Sequence, residues 1–252
     1  MRNIAEKEST VKVEFWTESN EIASLTPPYP AKNVAHDWLK SMPSYISGGV
    51  PTSRTDICLA DKINRTIKTC PGINDMLELG YIVPLWTDII VSYDCFVGAI
   101  DIKCSDEKTT FHFHRYQQFE KCPVNKTVSP YKMVLNIHSP WMIRLPKGYS
   151  SYMCHPFWSE TDEFFSLMPG IVDNDSFYTL NLILRWNKLG KGETLLKAGT
   201  PIAQIFPFRR EVFEMNVTDG KENRPDTLSQ HQAFGGFFRK YRPIMWKKKN
   251  FS

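Results

Sequence analysis

From Tyr81 to Arg210 the chain is written in short apolar runs broken by turn residues, and this rhythm constrains the fold more than any single motif. The runs "DIIVSYDCFVGAIDIKC", "TTFHFHRY", "KMVLNI", "WMIRLP", "FYTLNLILRW" and "TPIAQIFPF" are rich in β-branched and aromatic side chains, with Gly, Pro, Asp or Lys-Thr breaks between them. Many such strands in succession predict a mainly β fold, a single barrel or sandwich of jelly-roll type.

Helical patterning is confined to the flanks. "AKNVAHDWLKSMPSY" predicts a short helix capped by Asn33, with Val34, Trp38 and Met42 on one face. "CPGINDMLELGYIVPLW" carries a proline for the first turn and Gly80 past the end, then turns directly into β. "TLSQHQAFGGFFRKYR" is a third helix candidate, interrupted by Gly235-Gly236. The expected organisation is one β-rich domain over 1–252: an N-terminal strand with helical elaboration (1–80), a β core (81–210), and an extension with a basic tail (211–252).

At 252 residues and 42% hydrophobic content the chain is able to bury a sizeable core. The net charge is only +4, and Arg239-Lys240-Tyr241-Arg242 and Lys247-Lys248-Lys249 concentrate the excess at the C-terminus. A general nucleic-acid binder is not indicated, except through that tail. "MRNIAEKESTVKVEFW" has charges where a signal peptide needs an apolar stretch, and no apolar run approaches a bilayer span. The expectation is a soluble protein of the host-cell cytoplasm or of a virion. Cys58, Cys70, Cys95, Cys104, Cys122 and Cys154 form no C-x-x-C pair and read as reduced, mostly buried thiols.

Chemistry-bearing patterns are few. His112 and His114 share a strand face because side chains alternate, and with Glu120 and His155 they imitate a cupin-like site for a transition metal. Without a metal they are an ordinary histidine pair. Cys154 and His155 are adjacent, so on a strand they face opposite ways and cannot form a nucleophile pair. Neither a Gly-x-Ser-x-Gly elbow nor a phosphate-binding glycine loop occurs. The aromatics from Trp141 to Phe165, among them Tyr149 and Trp158, are suited to stacking on a base or sugar, or to a core or subunit interface.

"IRLPKGYSS", "PGIVDNDSF", "YTLNLILRWN" and "LLKAGTPIAQIFPF", in that order, resemble the core pattern of the dUTPase and dCTP deaminase superfamily. Pro146 and Gly148 match its first turn, Gly170 and Asp173 its loop, and Gly199, Ile202, Ala203 and Gln204 its last strand. The resemblance covers about seventy residues and implies a dUTPase-like barrel, a homotrimer, and a pocket with Gly148, Tyr149, His155, Trp158, Gly170 and Gln204 as binding residues. It would make Asp173 the catalytic carboxylate beside Mg2+ and nucleotide. Two departures stand against catalysis: Ser176 occupies the place of the family's sugar-stacking tyrosine, and "CHPFWSE" lacks the phosphate-gripping Arg-Ser-Gly. Without nucleotide work, Asp173 is a turn residue.

"VKVEFW", "PPYPAKNVAHDWLKSMPSY", "TIKTCPGINDMLELGYIVPLWTDIIV" and "SPWMIRLPKGYSSYMCHP" are also similar to a group of proteins of large T4-like tailed phages, marine ones especially, which carries no activity to transfer. The expected function is therefore a non-catalytic, homotrimeric binding or assembly module without cofactor, phage-encoded and virion-associated, with virion proteins as partners. The alternative is an enzyme, either a nucleotide hydrolase using Asp173 or a metal-dependent one using His112, His114 and His155.

Overall fold

A computed structural model describes residues 10–46, 64–106, 109–115, 118–119, 121, 134–217, 246–247 and 249–251. The candidate helix at 227–242, the basic run at 239–242, Glu120, Cys58 and Cys122 lie outside the described residues. The elements are β1 (Glu14–Trp16), α1 (Asn20–Leu25), β2 (Tyr29–Pro30), α2 (Asp37–Ser41), β3 (Tyr45–Ile46), β4 (Asn64–Arg65), α3 (Pro71–Leu77) and β5 (Tyr81–Pro84), followed among the described residues only by strands and 3-10 turns. Those strands are β6 (Ile89–Asp94), β7 (Ala99–Cys104), β8 (Phe111–His114), β9 (Val134–Arg144), β10 (Tyr149–Cys154), β11 (Phe165–Leu167), β12 (Gly170–Val172), β13 (Thr179–Trp186), β14 (Lys191–Leu196) and β15 (Pro201–Arg209). The fold is mainly β, as the run pattern predicts.

The chain divides into two compact units, Met1–Tyr29 with Gly80–Arg210, and Pro30–Leu79 with Glu211–Ser252. In the first, one antiparallel sheet runs β1–β9–β13–β11 with β8 also on β9, a second runs β12–β10–β15–β5–β2, and a third runs β14–β6–β7. Alternation directs the packing: Leu180, Leu182, Leu184 and Trp186 of β13 are buried while the residues between them are partly exposed. Leu182 faces Ile137 and Leu184 faces Leu135 across the β13–β9 ladder. These side chains join Ile205 and Met153 of the second sheet and Ile89 and Val91 of the third in one apolar core. β15 is buried on both faces from Ile202 to Ile205, so its apolar run is continuous rather than alternating.

The structure redraws three local expectations. "KMVLNI" and "WMIRLP" are one eleven-residue strand, β9, that runs through Pro140. Pro140 lies opposite the register shift between Thr179 and Asn181 of β13, and between the segments of β9 that pair with β8 and β1, so its missing N–H removes no ladder bond. The helix expected from Asn33 begins instead at Asp37 with His36 as cap, because Val34 is extended after a 3-10 turn. Helix α1 was not expected; Ser19 caps it by accepting the Ile22 N–H at 3.3 Å.

In the second unit α3 starts on Pro71 as its pattern predicts. The Lys68 ammonium donates to the carbonyls of Lys40 and Met42 at 2.9 and 3.0 Å, closing the end of α2. Asp75 accepts from the Trp246 indole at 2.8 Å and from the Lys249 ammonium at 2.6 Å, so Lys249 of the basic tail is bound to a carboxylate. Among the described cysteines only Cys154 is buried. Burial pushes its thiol up to about 11. Cys95 and Cys104 are half-buried instead, donating to the carbonyls of Lys188 and Asp106. No helix among the described residues is long and apolar enough to cross a membrane.

Candidate functional site

The loop between β12 and β13 carries Asp173, Asn174 and Asp175, and each has a different task. Asn174 is fully buried. Its amide donates to the Phe177 carbonyl at 2.8 Å, its side-chain oxygen accepts from the buried Ser151 hydroxyl, and its carbonyl accepts the Leu145 N–H. A buried polar side chain satisfied on both ends pins the loop. The Asp173 carbonyl accepts the N–H groups of Ser176 and Phe177, which makes the turn. Turn-making is thus a backbone matter, and the Asp173 carboxylate is directed elsewhere.

That carboxylate accepts the Ser150 hydroxyl at 2.6 Å and the Arg210 guanidinium at 3.2 Å. Arg210 also holds Asp175 in a two-nitrogen ion pair and donates to the Tyr149 carbonyl and the Ser150 hydroxyl, both at 3.0 Å. Asp175 in turn accepts the Gly148 N–H at 2.8 Å, and the Arg210 N–H donates to the Gly148 carbonyl at 2.8 Å. Arg210, followed by the Gly148 N–H, holds the Asp175 carboxyl below its usual range, and Asp175 raises Arg210 reciprocally. Gly148 has φ +86 within the Pro146–Tyr149 turn, closed by the Tyr149 N–H on the Pro146 carbonyl; this is the tight turn its Pro-x-Gly pattern predicts.

Gly148, Tyr149 and Asp173 therefore converge on a clamp whose other members, Arg210, Asp175 and Ser150, are not singled out by sequence. The Asp-Asn-Asp triplet and the Arg209-Arg210 pair ending β15 were the available signals. The guanidinium fork is committed to two carboxylates, so Arg210 cannot grip a triphosphate without releasing them. The clamp does not fit an Mg2+–nucleotide group.

His155, Trp158, Gly170 and Gln204 lie elsewhere. Gly170 pairs with Met153 at the start of β12. The Gln204 side chain is buried and accepts the Phe157 N–H at 3.1 Å. Trp158 is partly exposed with φ +50, a left-handed backbone that a bulky residue adopts only under constraint. The His155 Nδ1 accepts the Leu167 N–H at 3.1 Å, so its proton sits on Nε2, 3.1 Å from the Thr161 hydroxyl and 3.2 Å from Asp162. Neither ring nitrogen offers a lone pair to a metal. His112 and His114 are on β8, where the His112 ring meets His138 at 5.1 Å. The three histidines are not brought together, and among the described residues no group of three or more His, Cys, Asp or Glu gathers to hold a metal.

Burial first, opposed by Asp162, lowers the His155 pKa. Its folded form takes up a proton less readily than the unfolded chain, whose histidine titrates near ~6.5. The stabilisation from the neutral ring is complete above that pH and is lost as pH falls from about 6.5 toward the folded pKa, with a slope of up to about 1.4 kcal/mol per pH unit. Asp175 acts in a separate, more acidic window, below the unfolded carboxyl value of about 3.9. We expect the urea midpoint to fall between pH 7 and 5.5, and His155→Gln, which keeps an acceptor for Leu167, to flatten that fall. An unchanged slope in the variant would assign the titration elsewhere.

No family model matches the chain, and no curated protein matches it. Among solved structures it is similar to the native dUTPase of EIAV, at 13% identity over 56% of this chain and 84% of that one, with a TM-score of 0.30. It is also similar to a mutant dUTPase of phage phi11 of S. aureus that coordinates a structural Mg(II) ion, at 10% identity over 45% of this chain and 99% of that one, with a TM-score of 0.27.

Proposed function

We propose that the chain is a non-catalytic β-barrel binding and assembly protein that associates as a homotrimer. The observation that carries this reading is the segment Glu211 to Val217, which follows β15 without forming helix or strand. Val212 is 100% exposed, Phe213 85%, Met215 87% and Val217 82%. Apolar side chains crowded on one exposed segment mark an interaction surface, and burying each against a partner is worth roughly 1.5–3 kcal/mol. A second copy of the chain is the partner we assign. The commitment of Arg210 to two carboxylates supports the non-catalytic part of the reading. The resemblance of "VKVEFW" and "SPWMIRLPKGYSSYMCHP" to proteins of large tailed phages is the ground on which we infer a virion as the setting.

Sedimentation velocity tests the segment directly. The intact chain sediments as a trimer, and Phe213→Ser with Met215→Ser shifts it to monomer while its circular dichroism is unchanged. A variant that sediments as the intact chain does would remove the segment from the interface.

One observation favours a second reading, nucleotide hydrolysis by Asp173. Its side chain is 61% exposed, and its Oδ2 accepts no hydrogen bond among the described residues. Pyrophosphate release from dUTP, abolished by Asp173→Ala, would establish that reading; absence of release from the intact chain ends it.

A further inference from the structure

In the second unit the Asp75 carboxylate, on α3, gathers two donors from the segment at 246–251. The Trp246 indole N–H donates to its Oδ2 at 2.8 Å and its Oδ1 at 3.1 Å, and the Lys249 ammonium donates to Oδ2 at 2.6 Å. The same ammonium stands 5.7 Å from the centre of the Trp246 ring. An indole N–H and an ammonium that converge on one pair of carboxylate oxygens form a receptor for an oxyanion, and Asp75 is the anion that fills it. The Asp75 side chain is 19% exposed and that of Lys249 44%. Water therefore reaches the pair, which weakens it and opens it to exchange with another anion.

From this we infer that the 246–251 segment binds single-stranded nucleic acid, and that Asp75 occupies its phosphate site in the free chain. In sequence, "WKKKNF" sets Lys247, Lys248 and Lys249 between the rings of Trp246 and Phe251. Cations interleaved with aromatic rings suit a strand that alternates phosphates with bases. A phosphate takes the donors of Trp246 and Lys249 in place of the carboxylate, and Lys247, which is exposed, meets a neighbouring phosphate. Once Lys249 leaves it, the Trp246 ring offers its face to a base. Stacking of this kind needs an unpaired base, so a single strand fits and a duplex does not. An acidic peptide would supply the charge and leave the ring unused. The inference does not depend on the assembly reading, since no residue of the 211–217 segment takes part.

Fluorescence anisotropy of a labelled oligothymidylate titrated with the full chain decides it. The intact chain is expected to bind, and Asp75→Asn to bind about threefold or more tighter, because the competing charge is gone while an acceptor for the Trp246 indole remains. Lys249→Gln, at an exposed residue, tests the same contact without touching α3. It should bind more weakly, with a plot of log K against log salt shallower by about 0.7. Glu78→Gln removes an exposed carboxylate at the end of α3 without freeing Lys249, and should bind as the intact chain does. The inference is overturned if neither the intact chain nor Asp75→Asn binds, if Asp75→Asn binds no tighter than the intact chain, or if Glu78→Gln tightens binding as much. It is also overturned if duplex DNA binds as well as the single strand, or if polyglutamate displaces the label as well as unlabelled oligothymidylate does, which would make the partner an acidic polypeptide.

Discussion

Phe165→Ala is expected to lower the unfolding free energy by about 3–5 kcal/mol, a large share of the roughly 5–15 kcal/mol that holds a domain together. Phe165 is 0% exposed in β11, opposite Trp186 of β13, and its ring meets the edge of His155 at 5.3 Å. Truncation removes the transfer free energy of the ring and leaves a cavity between strands whose ladders hold them in place. Phe177, half-exposed in the Asp173 turn, is the internal control, and its alanine variant should lie within about 0.5 kcal/mol of the intact chain. Urea unfolding of both variants measures the difference. A loss below about 1 kcal/mol at Phe165 would mean that β11 is not packed on this core.

Gly80→Ala is expected to be as damaging, through the backbone rather than the core. Gly80 has φ +74, and a Cβ there would stand 2.2 Å from the Ile205 carbonyl oxygen and 2.9 Å from the Phe206 Cβ. Ile205 pairs with Tyr81, so relieving the clash requires the β15–β5 ladder to open. Gly199→Ala separates the two contributions. Its φ is +88 with nothing within 4 Å of the added Cβ, so it carries only the left-handed strain of about 1–3 kcal/mol. Gly80→Ala should cost distinctly more than Gly199→Ala, or yield no folded protein. Equal losses at the two positions would show that β15 does not approach Gly80 closely.

Pattern made the β architecture legible because alternation is local: β13 announces its buried face in Leu180, Leu182, Leu184 and Trp186. Pro140 misled for an equally local reason. A proline reads as a strand break, and only the register shift in β13 shows why β9 tolerates it. Helix α1 is six residues long, too brief for a helical period to stand out beside the prolines that follow.

The loop at Asp173 was visible in sequence, but the partner that defines its chemistry was not. Arg210 is thirty-seven positions away, and nothing in "FPFRR" indicates that its second arginine turns back onto Gly148, Tyr149 and both aspartates.

Native mass spectrometry of the purified full chain tests the assembly reading most directly, because subunit number and retained ligand appear in one spectrum. The account predicts a trimer free of nucleotide and metal. A monomer, or a nucleotide or metal adduct at one per chain, would contradict it and return Asp173 to the role of a catalytic carboxylate.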